Sequence, residues 1–328
     1  MKKLSFIITL ILFIGLLSGL VVGCTTDAET ETPTKTQTVA FPDVNLEAAV
    51  REALGKPVDE DLTTEELVSL TTLNICSSEG ITNLSCLEYC TNLTELSINN
   101  NEIIDVSPIS SLTNLTSLSL LGNQISDTTP LSSLTNLTSL GLSGNQIDDI
   151  SPLSSLTNLY NLDLTGTQIS DIKPLASLVS LGGLGLSNNQ IIDVSPLSSL
   201  TNLTVLDLNR NMVSNISSLA SLSNLTELFL NDNQISDISC LSSITNLNWL
   251  FLDSNQISDI SCLSSLANLN QVSLSGNQIS DISPLIENSE LGVGDWLCLE
   301  NNNLNLTKGS EDMECIGILE DRGVEVEY

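Results

Sequence analysis

An asparagine returns every 22 residues through the middle of this chain: Asn101, Asn123, Asn145, Asn189, Asn211, Asn233, Asn255 and Asn277, with Thr167 in the one gap. A period this strict specifies one structural unit stacked on copies of itself, a solenoid rather than a compact globule. Each return sits in the same phrase, as in Leu140, Leu142, Asn145 and Ile147. Leu140 and Leu142 alternate with Gly141 and Ser143, the period of a short strand with one buried face. The amide of Asn145, turned inward, can satisfy backbone groups of its own coil and of its neighbour, and a buried amide is costly unless it is bonded. Ser151 and Pro152 then open a short helical or 3-10 piece, with Ser at the cap and Pro at the first helical position. Leu153, Leu156 and Leu159 point back to the core.

Eight regular units start at Leu96, Leu118, Leu140, Leu162, Leu184, Leu206, Leu228 and Leu250. A ninth, from Val272, is three residues longer before Leu297, Leu299 and Asn302 end the series, and the unit near Leu73 to Leu93 is degenerate. A 22-residue unit is too short for a long convex helix, so the outer wall is expected to be short 3-10 or helical turns. With parallel strands about 4.8 Å apart, ten coils span roughly 45 to 50 Å. Such a stack needs a cap, because its first coil otherwise shows a leucine face to water. Residues 41–72 read as that cap. Asp43 can start a helix through Leu46, Ala49, Val50 and Leu54 with Gly55 beyond its end, and Thr63 with Glu66 has capping-box spacing. The repeats occupy 73–296, and 297–328 closes the other end. The fold class is an α/β solenoid with a parallel concave sheet.

Composition limits the chemistry. Nine Lys+Arg stand against 40 Asp+Glu, a net charge of −31, and there is no histidine. No basic patch is available to neutralise phosphates, which disfavours nucleic acid. Without histidine, Cys-His and Ser-His catalysis are excluded, and a carboxylate-based hydrolase would need a deep cleft that a solenoid sheet rarely offers. The chain reads as a non-enzyme without a metal or other cofactor. Its field favours a cationic partner.

Residues 1–23 read as a signal segment: Lys2 and Lys3 precede an apolar stretch from Leu4 to Val22. Val21-Val22-Gly23-Cys24 resembles a bacterial lipobox, which implies a lipidated Cys24 as the first mature residue, holding the protein on the outer side of a membrane. Residues 24–40, rich in Thr and Glu, read as a spacer.

Leu134-Thr135-Asn136-Leu137 and Asn277-Gln278-Ile279-Ser280-Asp281-Ile282-Ser283-Pro284 resemble the 22-residue leucine-rich repeats of internalin-type bacterial surface proteins. The entry at Phe41-Pro42-Asp43 is similar to that group's helical cap, and Ile318 to Val326, more loosely, to its strand-forming tail. The resemblance covers residues 41–328 and implies a horseshoe that binds other molecules on its concave face. It names no ligand.

On that face the N-terminal half is bland: Ser139, Gly141 and Ser143 in one unit, Gly183, Gly185 and Ser187 in another. The C-terminal half carries Asp207, then Glu227, Phe229, Asn231 and Asp232, then Trp249, Phe251 and Asp253. In a chain only 3% aromatic, Phe229, Trp249 and Phe251 are expected to touch and to form a hot spot for a protein or glycan ligand. The alternative is a structural or adhesive envelope spacer without a discrete site. An aspartate column, Asp105, Asp127, Asp149, Asp171, Asp193, Asp237, Asp259 and Asp281, reads as a series of local turn acceptors, with calcium bridging as a sharper reading. Cys240 and Cys262 replace the usual Pro in consecutive coils, within reach of a disulfide; Cys298 with Cys315 is a second candidate pair.

Overall fold

A computed structural model describes residues 37–75 and 79–328. The signal segment, Cys24, most of the spacer and Cys76 lie outside the described residues.

Each 22-residue unit becomes one coil of backbone. The strands are β3 (Thr72–Ile75), β4 (Glu95–Ile98), β5 (Ser117–Ser119), β6 (Ser139–Gly141), β7 (Asn161–Asp163) and β8 (Gly183–Gly185), following a small N-terminal pair β1 (Thr38–Val39) and β2 (Leu62–Thr63). They continue as β9 (Val205–Asp207), β10 (Glu227–Phe229), β11 (Trp249–Phe251), β12 (Gln271–Ser273), β13 (Trp296–Cys298) and β14 (Glu325–Glu327). β3 to β14 form one sheet of twelve parallel strands in chain order. The pairing is in register, so Leu206, Leu228 and Leu250 stand side by side. Around one coil Leu140, Leu142, Ile147, Ile150, Leu153, Leu156 and Leu159 are all buried. Each such side chain stabilises the fold by roughly 1.5–3 kcal/mol.

The asparagine column is a hydrogen-bond ladder. Asn145 Nδ2 donates to Leu120 O at 2.9 Å and Leu142 O at 2.8 Å, and its Oδ1 accepts from Ile125 N at 3.0 Å. The same three bonds recur at Asn123, Asn211, Asn233, Asn255 and Asn277, and finally at Asn302. At Thr167 the ladder thins. One hydroxyl lies 2.9 Å from both Leu164 O and Asn189 Oδ1, and a single hydrogen serves only one of them at a time.

On the convex wall 3-10 turns such as Ser151–Ser155 follow each strand. Their cap differs from the expected one. Asp149 Oδ1 accepts the Ser151 N–H at 2.8 Å, so the aspartate, not the serine, opens the turn. The same Asx bond occurs at Asp105, Asp127, Asp171, Asp193, Asp237, Asp259 and Asp281. One oxygen of each is committed to backbone, and no group of three or more Cys, Asp or Glu is arranged for a metal ion among the described residues.

Helix α1 (Val44–Leu54) starts at Asp43 and ends at Gly55, which takes the left-handed conformation. Asp43 does more than cap. Oδ1 accepts from Asn45 and Leu46, while Oδ2 accepts from Thr82 N at 2.8 Å and Asn83 N at 3.1 Å, tying the cap to the first coil. The capping box of Thr63 and Glu66 opens α2 (Thr64–Val68). In the longer ninth unit an α-helical turn, α3 (Ser283–Glu287), replaces the 3-10 turn. α4 (Glu311–Asp321) closes the stack, with the Arg322 guanidinium donating to Ile286 O and Asn288 O.

The expected disulfides are not made: Cys240, Cys262, Cys298 and Cys315 are free thiols. Cys240 Sγ donates to Ile216 O at 3.3 Å and Cys262 Sγ to Ile238 O at 3.2 Å. In-register side chains leave stacked coils along nearly parallel Cα–Cβ bonds. Their Cβ atoms stay about one coil, ~4.8 Å, apart, beyond the ~3.8 Å that a disulfide favours. Burial pushes these two thiols up to about 11 and about 12. Cys298 stands on β13 and Cys315 in α4, and both are free, buried thiols.

Thr167→Asn restores the missing amide and is expected to stabilise the protein by about 1 kcal/mol. Urea unfolding of the two proteins measures this, and an unchanged or lower midpoint would contradict the ladder account.

Candidate concave binding face

Strand register decides which side chains share a column on the sheet. Phe229 and Phe251 are register partners on β10 and β11, and their rings stack with centroids 5.3 Å apart. Phe251 then stacks on Trp296 at 6.3 Å. Trp296 belongs to the column of Glu227, Trp249 and Gln271. Between Phe251 and Cys298 in the neighbouring column stands Ser273, small enough to lie beneath at 2% exposure while the two rings meet over β12.

This run differs from the expected trio in two ways. Phe229 is 6% exposed, so it is a floor for Phe251 rather than an open contact. Trp249 takes no part in the stack and faces the strand-entry rim, beside Glu227, Asn246 and Asn248. Trp296 was not anticipated. The three extra residues of the ninth unit put it 25 positions after Gln271, and a strict 22-residue count passes over it. Aligning Leu297 with Val272 would have found it.

The polar residues around the run form a second ladder. Asn209 Oδ1 accepts from Asn231 N at 2.7 Å, Asn231 Oδ1 accepts from Asp253 N at 2.7 Å, and Asp253 Oδ1 accepts from Ser275 N at 2.8 Å and from the Ser273 hydroxyl. Asn231 and Asp253 therefore brace the sheet with one oxygen each. Burial raises the Asp253 carboxyl, opposed by those two Ser donors and reinforced by Asp232. Burial pushes Asp207 up to about 6; the Asn209 N–H and Arg210 oppose this and the Asp163 charge adds to it. Asp163 reaches toward Asp207 because Gly185 lies between them. A Cβ there would sit 2.9 Å from Asp163 Oδ1.

One backbone position marks the same region. The residue before each ladder asparagine is left-handed; Gly122, Gly144, Gly166 and Gly276 fill it at φ 63 to 69°. Asn100, Asn188 and Asn301 hold it at φ 55 to 57°, and Arg210, Asp232 and Ser254 at φ 54 to 56°; an L side chain there costs roughly 1–2 kcal/mol, less for Asn and Asp. Arg210 and Ser254, the two of these that are neither Gly, Asn nor Asp, both fall in this region, and Arg210 faces Asp232 at 3.5 Å. Such strain clusters at functional sites.

The folded state holds the Asp207 proton that the unfolded chain has lost between pH ~4 and about 6. Wild-type stability should therefore fall as pH rises through that window. Asp207→Asn should be the more stable protein at pH 7, with the gap closing toward pH 4. Urea titrations at several pH values check this; a gap independent of pH would refute it.

Residues 91–133, 135–177, 180–221, 201–243 and 245–287 match the family model described as leucine-rich repeats (2 copies). The structure is similar to the crystal structure of an internalin (inlF) from Listeria monocytogenes, with 36% identity, a TM-score of 0.73 and coverage of 88% of this chain and 91% of that one. Internalin C2 of the same organism gives 40% identity and a TM-score of 0.60, over 74% of this chain and 99% of that one. The functional domain of InlJ from L. monocytogenes, described as including a cysteine ladder, gives 24% identity and a TM-score of 0.73 over 89% and 62% of the two chains. At that identity the likeness is one of fold. No curated protein matches the chain.

Proposed function

The chain belongs to the leucine-rich repeat proteins of internalin type, and on that footing we propose that it is a non-enzymatic surface protein that binds a protein ligand on the C-terminal half of its concave sheet. The observation that carries this reading is the aromatic run of Phe229, Phe251 and Trp296, in the half of the sheet that follows the column Ser97, Ser119, Gly141, Asp163, Gly185 and Asp207. Aromatic anchors of this kind dominate binding energy when a partner covers them. The acids beside the run, Glu227, Asp232, Asp253 and Asp207, and the net charge of −31 favour a partner with a basic surface. Left-handed Arg210 and Ser254 support the same location, since neither residue type favours that conformation as Gly, Asn and Asp do. We place the protein outside a bacterial membrane, held by acyl chains on Cys24. Among the described residues no helix is long and apolar enough to cross a membrane.

The test is capture from envelope and extracellular extracts by a soluble fragment, residues 25–328, beside the variant Phe251→Ala/Trp296→Ala. Phe229 is left intact because its burial would confuse a binding loss with a folding loss. A species retained by the wild type and by Tyr160→Ala, an exposed aromatic beside β7 and away from the run, but lost with the double variant is the expected result. Equal capture by all three would move the site elsewhere, and capture by none would favour the envelope-spacer reading.

A further inference from the structure

Trp249 stands apart from the aromatic run and lines a different feature. A hollow of about 510 Å³ opens at the strand-entry rim between Thr226, Glu227, Asn246, Asn248, Trp249 and Asn268. Its wall is chemically one-sided. Asn246 Nδ2 donates to Ser223 O at 2.9 Å, Asn248 Nδ2 to Asn268 O at 3.0 Å, and Asn268 Nδ2 to Thr245 O at 2.8 Å. The Thr226 hydroxyl donates to Thr204 O at 3.1 Å. Each amide nitrogen is thus turned to backbone, and among the described residues the three amide oxygens accept no hydrogen bond.

Glu227 completes the set. It lies in register between Val205 and Trp249, half-buried. Among the described residues its carboxylate receives no hydrogen bond and no ion pair. A half-buried carboxylate without a donor is costly, and here it sits next to an indole, whose face is itself electron-rich. Arg210, the cation on this half of the sheet, pairs with Asp232. The wall lacks a positive charge and several spare N–H groups, beside a flat π surface.

We propose that this hollow is a guanidinium subsite that takes an arginine side chain. A guanidinium brings a planar cation with five N–H donors in a fixed fork. It can stack on the Trp249 ring, pair with the Glu227 carboxylate and donate its remaining N–H groups to the amide oxygens of Asn246, Asn248 and Asn268. A pyranose also stacks on indole, but it is neutral and leaves the carboxylate uncompensated. The proposal deepens the concave-face reading by naming one side chain of the partner, and so rests on it for biological meaning. Its test needs no partner, so the two fail separately.

The probe is N-acetylarginine amide, titrated into the protein while the indole N–H signals of Trp249 and Trp296 are followed by NMR, assigned with Trp249→Phe. Saturable movement of the Trp249 signal, with Trp296 still, is expected. The neutral isostere N-acetylcitrulline amide should bind at least about tenfold more weakly, as expected for loss of a charge-assisted pair. Glu227→Gln, shown by its unfolding midpoint to be folded, should lose about the same factor for the arginine probe. Equal binding of the citrulline probe, no effect of Glu227→Gln, movement at Trp296 alone, or no saturation would each overturn the proposal. Saturation by a methyl glycoside with none by the arginine probe would replace it with a sugar site.

Discussion

A coil that must turn back on itself within 22 residues buries N–H and C=O groups that no strand or helix can satisfy. The ladder asparagine solves this with one side chain: two carbonyls accept from its nitrogen and one N–H donates to its oxygen. Leaving any of these groups unpaired would cost about 1–3 kcal/mol. One carbonyl lies in the same coil and the other two groups in the coil before it, separated by 3, 25 and 20 residues respectively. No coil is complete without its neighbour, and the stack is stable only when both ends are closed. Asp43 and Arg322 meet that need from opposite ends, each spending its polar atoms on backbone groups across the cap boundary.

Because the ladder and the leucine columns fix register, the residues between the leucines fall into straight columns with no freedom to rearrange. Recognition is then written by substitution at a few column positions. The N-terminal half is filled with Ser and Gly. The C-terminal half replaces them with Phe, Trp and acids, and the left-handed position before the asparagine, Gly or Asn in the earlier coils, becomes Arg210, Asp232 and Ser254. The apolar and acidic features are kept apart along the strand: the stacked rings occupy the middle of the sheet, and the Trp249 hollow its entry rim.

Much of this was legible from the chain because the determinants are local. Asp43 and Gly55 bound α1, and Thr63 with Glu66 opens α2; the interior columns follow from the leucine phrase alone. What sequence could not supply depends on side-chain direction. Phe229 and Phe251 share a column, yet one is floor and the other surface. Trp249 shares a face with Phe251 and turns away from it. Cys240 and Cys262 sit one coil apart with near-parallel bonds, a proximity that does not make a bridge. The Asp column, read as turn acceptors, proved also to displace serine as the cap of each 3-10 turn. Trp296 was hidden by an insertion that broke the count without breaking the register.

The series arrangement of coils also has a mechanical meaning. Were the N-terminal end tethered and a ligand held near β11, any pull between them would pass through every intervening coil, each carrying the same load. Elements in series add their compliances, so the stack stretches as the sum of its coils and yields at its weakest junction. At Thr167 the cross-coil amide is replaced by a single hydroxyl, and that junction is expected to yield early. It lies between the N-terminal end and the aromatic run, so a load of that kind would pass through it.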